Sequence, residues 1–213
     1  MKSLFLFALC CISTMHSQMS EPNKDVKKLL KRGRNHIIGL AINELKRQEH
    51  TTINKEDFHF ISVKASNQRV LVQFGYNVIY LPKNTAYYSD IIVELPSGTI
   101  TKNIESNNTT RSSFYLPTNT DLKIINEILN PDSTNTDIFK KGIVYPLTTI
   151  KEMEHSYLVV FSSRDPYLGG VFSEEEIDKK TGEVISSING HYEPAPILPD
   201  DDEHKEEFIE ITN

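Results

Sequence analysis

An α+β fold, with a long N-terminal helix followed by strand-forming runs, is what this 213-residue sequence predicts. Two observations carry that expectation. Residues 24–48 place apolar side chains at helical spacing, and from Phe58 onward the pattern changes to short Val/Ile/Tyr/Phe-rich runs separated by turn residues.

Ahead of the helix, residues 1–17 read as a cleavable secretory signal. Lys2 forms the positive start, Leu4 to Ile12 an unbroken apolar run, and small or polar residues lead to a cut before Gln18 or Met19. The run is about half of the roughly 20 residues that a permanent membrane helix requires. Acylation at Cys10 or Cys11 is the rival reading, but Leu9 and Cys10 precede them in place of a small residue. These are the chain's two cysteines, so cleavage leaves a thiol-free protein without disulfides, a Cys nucleophile or thiolate ligands. That combination points to an exported bacterial protein, periplasmic or extracellular. On that reading the sequons at Asn107 and Asn108 are chance matches in a polar loop.

The helix over 24–48 carries Val26, Leu29, Leu30, Ile37, Leu40, Ala41 and Leu45 on its apolar face, with Asn23 or Ser20 as its cap and Gly33 interrupting the pattern. It is basic, and its solvent face suits anionic lipid, an acidic partner or the acidic tail of the same chain. A plainly solvated helix face is the simpler reading. Strands are expected at Phe58–Lys64, Arg69–Phe74, Asn77–Leu81, Ser89–Leu95 and Thr99–Lys102, the last two joined by a turn through Pro96 and Gly98. A polar loop over 103–113 and a helix over Asp121–Leu129 follow, ended by Pro131 and a loop over 131–138. A second strand set is expected at Gly142–Pro146, Ser156–Ser162, Gly170–Ile177 and Glu183–Ile188, with a hairpin turn at Asp178–Gly182.

Three regions result: the signal, 1–17; an α+β body, 18–193, with sub-units 18–115 and 116–193; and an acidic tail, 194–213. Pro194 and Pro196 open the tail, and Phe208, Ile209 and Ile211 are able to dock as a short terminal element. Each half of the body runs helix, strands, then a hairpin turning on Gly98 or Gly182, a rhythm that a two-fold helix-plus-meander repeat would explain. The formal net charge is −6, and the tail holds seven acids against Lys205, so the body is close to neutral. Such a chain is poorly suited to nucleic acid, whose binding rests on neutralising phosphates.

No catalytic, cofactor-binding or metal-ligating residue is assigned by the sequence. There is no Gly-x-Ser-x-Gly, no phosphate-binding glycine loop and no His-Glu-x-x-His. His36, His50, His59, His155, His191 and His204 are scattered. Glu174, Glu175 and Glu176 are consecutive acids with Asp178 beyond Ile177, not a pair facing across a cleft, and read as a charged strand edge that resists aggregation. Asp200 to Glu203 lack the spacing of a calcium loop. Tyr76, Tyr80, Tyr87 and Tyr88 suit either core packing or a peptide- or glycan-binding face, with packing preferred.

The segment from Gly170 through Ser173-Glu-Glu-Glu-Ile-Asp-Lys-Lys-Thr-Gly-Glu-Val-Ile185 resembles the closing hairpin of the PepSY and nuclear-transport-factor-like groups. The resemblance implies a cystatin-like arrangement of a helix across a curled sheet, and a periplasmic binding, inhibitory or immunity-type module. No functional residue is carried over with it. The expected function is a non-enzymatic exported module that binds a protein or peptide in the cell envelope. The alternatives are a small-pocket hydrolase or isomerase on a nuclear-transport-factor-like fold, and a structural, self-associating envelope protein. The sequence assigns no oligomeric state.

Overall fold

In the computed structural model, residues 23–109, 111–129, 147–165, 169–192 and 207–212 are described. The expected signal, the strand at Gly142–Pro146, the loop at 131–138, Pro194, Pro196, His204 and the acids at 200–203 lie outside them.

The expected long helix is two helices, α1 (Lys24–Lys31) and α2 (Arg34–Glu49). Asn23 caps the first, accepting the Asp25 N–H at 2.9 Å. Arg32 and Gly33 then close it with bonds to the Leu29 and Leu30 carbonyls. Gly33 has φ 79°, which no right-handed helix contains, so the chain turns there before α2 begins. The apolar face of α2 (Ile37, Ile38, Ala41, Ile42, Leu45) joins Val63, Val72, Phe74, Ile91 and Val93 in the larger core.

Strands β1 (Phe60–Ala65), β2 (Val70–Gly75), β3 (Val78–Leu81), β4 (Ala86–Leu95), β5 (Ile100–Ser106) and β6 (Ser113–Phe114) precede α3 (Asn119–Leu129). Strands β7 (Leu147–Glu152), β8 (Ser156–Asp165), β9 (Gly169–Asp178), β10 (Val184–Tyr192) and β11 (Ile209–Glu210) follow it. Of these, β7 and the short β6 and β11 were not expected as strands, and the polar loop at 103–113 starts later because β5 continues to Ser106. The turn at Pro96 has a cis Leu95–Pro96 bond, with Gly98 at φ 76°.

Two sheets form. The first has the order β11-β1-β2-β4-β5, with β6 parallel to β4; the second has the order β10-β9-β8-β7-β3, with β3 parallel to β7. The described residues are 45% strand and 25% helical, with three short helices and two sheets that mix antiparallel and parallel pairing. This corrects the expected α+β class: there is no long N-terminal helix across a curled antiparallel sheet and no cystatin-like arrangement. Nor is there a two-fold helix-plus-meander repeat, because β3 leaves the first half and pairs with β7 of the second, Val78 opposite Thr148 and Tyr80 opposite Ile150. Ile79 and Leu81 face the first core, while Val78 and Tyr80 face a smaller core with Ile125 of α3, Ile150 and Val159. Asn107 ties the sheets together, its buried amide donating to the Leu81, Pro82 and Glu152 carbonyls at 3.0–3.3 Å. It is therefore no accessible glycan acceptor.

Candidate functional site

Strand edges, where backbone N–H and C=O groups lack partners, need covering or charging to prevent unwanted pairing. Three of the four sheet ends are treated this way. At β1, Ile211 N–H donates to the Val63 carbonyl at 2.8 Å and the Arg34 guanidinium to the Ile61 carbonyl at 2.6 Å. The terminal segment thus docks as β11, with Ile211 packed on the core and the Arg69 guanidinium 5.6 Å from the Phe208 ring centroid. At β3 the four side chains are buried and the Tyr80 N–H donates to the Tyr115 hydroxyl at 3.2 Å. At β5, Lys102 pairs with Glu49 of α2 at 2.7 Å, and Glu105 lies further along the strand.

The fourth end, β10, differs. Its residues Val-Ile-Ser-Ser-Ile-Asn-Gly-His-Tyr carry no Asp, Glu, Lys, Arg or Pro. Every residue from Val184 to Asn189 is exposed, with Ile188 at 57%. Among the described residues nothing pairs with its outer edge. Its inner edge is held by β9 in antiparallel register, Ser186 opposite Glu176, Ser187 opposite Glu175 and Ile188 opposite Glu174, with a bulge at Ile185.

The hairpin that presents this edge is well built. Asp178 Oδ1 accepts the Lys180 and Thr181 N–H groups at 2.8 Å each, and these bonds hold its carboxyl below the usual range. Gly182, at φ 72°, closes the turn as the sequence predicts. Lys179 anchors it to the body: its ammonium donates to Glu152 Oε1 at 2.9 Å and the Met153 carbonyl at 2.7 Å, and sits 5.1 Å from the Tyr157 ring centroid. Burial pushes the Glu152 carboxyl up, but Lys179 and the Lys83 N–H outweigh it and the net shift is downward. Phe172 lies across Gly190, where a Cβ would come within 2.3 Å of the ring.

The acids of β9 are placed differently from the sequence expectation. They are not on an edge: β9 lies between β8 and β10. Glu174 and Glu176 share one face and Glu175 the other. Among the described residues none of the three forms an ion pair; Glu176 accepts the Ser156 hydroxyl at 2.6 Å. Sequence reasoning missed β10 because edge status depends on sheet order, although its lack of charge was visible.

The tyrosines pack. Tyr76, Tyr80 and Tyr115 are buried and Tyr87 and Tyr88 half-buried. Tyr115 stacks edge-on against Tyr76 and Tyr87 at 5.1 and 5.2 Å, and His59 against Tyr76 at 5.3 Å. His59 Nδ1 accepts the Asn77 N–H at 3.0 Å, and burial lowers its pKa to about 4, so the ring is neutral at pH 7. The remaining described histidines are apart: His36, on α2, accepts from Arg32 at the end of α1, His50 ends α2, His155 lies in the β7–β8 turn and His191 on β10. Among the described residues no three His, Cys, Asp or Glu side chains are grouped to hold a metal.

A groove of about 300 Å³ lies between α2 and the 3-10 turn Lys55–Asp57, bordered by Asn35, Asn43 and Asn54 and by the exposed Lys55–Glu56 pair. No described helix is long and apolar enough to cross a membrane. No protein-family model, curated protein or solved structure matches the chain. The geometry alone defines the class: among the described residues, a two-sheet, mostly β protein with three protected sheet ends and one bare one.

Proposed function

We propose that the chain is a non-enzymatic exported module of the bacterial cell envelope that binds a protein partner by adding one of the partner's extended segments to β10. The carrying observation is the contrast between ends: β10 alone lacks a charge, a cover or a side-chain cap among the described residues. An added strand takes its main-chain bonds from such an edge, and alternate side chains give the choice of partner. Each hydrogen bond contributes about 1 kcal/mol net, while ordering each peptide residue costs about 1–2 kcal/mol. Side-chain contacts with Val184, Ile188 and the acids of β9 therefore decide whether binding is favourable.

Incorporating a photo-crosslinking side chain at Ser187, and separately at Ile104 on β5, tests this in envelope fractions. The expected result is one adduct from Ser187 and none from Ile104, reproduced when the adducted partner is purified and mixed with the chain. Equal yields from both positions contradict it, as does an adduct that is a second copy of the chain, which would support self-association.

A further inference from the structure

We infer that the segment β10 accepts is basic: two adjacent Lys or Arg residues opposite Ser186 and Ser187, followed or preceded by an apolar residue opposite Ile188. This rests on the proposed strand addition and names its partner's chemistry. Three facts on the same hairpin lead to it. Glu174, Glu175 and Glu176 occupy successive positions of β9, and none is neutralised by a cation among the described residues. The β10 residues directly between two of these acids and the open edge are serines, Ser186 beside Glu176 and Ser187 beside Glu175. The residue beside Glu174 is Ile188, whose side chain is more than half exposed.

Neighbouring strands lie about 4.8 Å apart, so an added strand runs about 10 Å from β9. A small serine on the intervening strand leaves a lane that a lysine or arginine crosses with its alkyl stem to reach the glutamate beyond. Glu176 and Glu175 point to opposite faces, so adjacent basic residues on the added strand, which also alternate, meet one acid each. At the third position Ile188 bars the lane and offers apolar surface instead. A neutral strand would leave Glu174, Glu175 and Glu176 without a cation beside the new interface, and an acidic one would add like charges.

The test uses the full chain and three synthetic strand peptides that differ only at two adjacent positions, Lys-Lys, Ser-Ser or Glu-Glu, each flanked on both sides by Val so that either strand direction sets Val opposite Ile188. Affinities are measured by titration calorimetry, and residue-resolved amide exchange shows where each peptide sits. The Lys-Lys peptide is expected to bind about tenfold more tightly than Ser-Ser and to protect β10 amides. That preference should vanish in the Glu175→Gln/Glu176→Gln variant, and at about 1 M salt, where charges are screened beyond about 3 Å. Equal binding of Ser-Ser and Lys-Lys with β10 protected overturns the basic preference and leaves strand addition standing. No binding by any peptide, or binding of Lys-Lys without protection of β10, overturns strand addition itself.

Discussion

His59 and Asp90 are the residues at which burial and ionisation conflict most clearly. The His59 ring sits among Tyr76 and Tyr115 with its pKa lowered from 6.5 to about 4. A depressed folded value means that the stability contribution is complete above about pH 6.5 and lost as the pH falls toward 4. The loss is on the order of 3 kcal/mol, because each pKa unit is about 1.4 kcal/mol. Denaturation measured across that range should show an acid limb that His59→Gln flattens, since glutamine keeps an acceptor for the Asn77 N–H and does not titrate. Asp90 behaves oppositely. Burial raises its carboxyl pKa, against the amides of Gln73 and Asn103, and its Oδ1 has no hydrogen-bond partner. The folded state therefore disfavours the charged form, and stability falls as the pH rises through the carboxylate range. Asp90→Asn should raise the thermal midpoint at pH 7, with a gain that shrinks on acidification; a lower midpoint at pH 7 would contradict the burial argument.

Among the elements, α1–α2 and the β9–β10 hairpin show what local sequence does and does not reveal. Gly33 stood out in the helical pattern, and the interruption proved to be a full break because its φ of 79° lies outside helical space. A Cβ at Gly33 meets nothing within 4 Å, so Gly33→Ala should cost about 1–2 kcal/mol through backbone strain alone. Chemical denaturation checks this; an unchanged midpoint would mean that the turn adapts. The turn at Asp178–Gly182 was legible because Asp and Gly have local reasons to be there. The strand β7 was not: its sequence Leu-Thr-Thr-Ile-Lys-Glu alternates weakly, and its place is fixed by β3 and β8 on either side. The β9 acids were visible, but reading them as an edge failed because edges are a property of the assembled sheet.

At the scale of the whole molecule, the two sheets are joined by β3, whose two faces serve different cores, and by Asn107. That joint was invisible in the sequence because parallel pairing of β3 with β7 links residues about 70 positions apart. Asn107→Ala strips one donor from three carbonyls and should cost about 2 kcal/mol in thermal or denaturant unfolding. A change below a few tenths would show that the sheets are held without it. The assembled sheets also create the asymmetry on which the proposed function rests: β1, β3 and β5 are covered, capped or charged, while β10 is bare among the described residues. Residue-resolved amide exchange of the dilute chain tests that asymmetry most directly. The account predicts alternation along β10, with inward amides bonded to β9 protected and outward amides exchanging near unfolded-chain rates, independent of protein concentration. Protection of both sets in the dilute chain would mean that β10 is already covered, and the edge would not be the binding site.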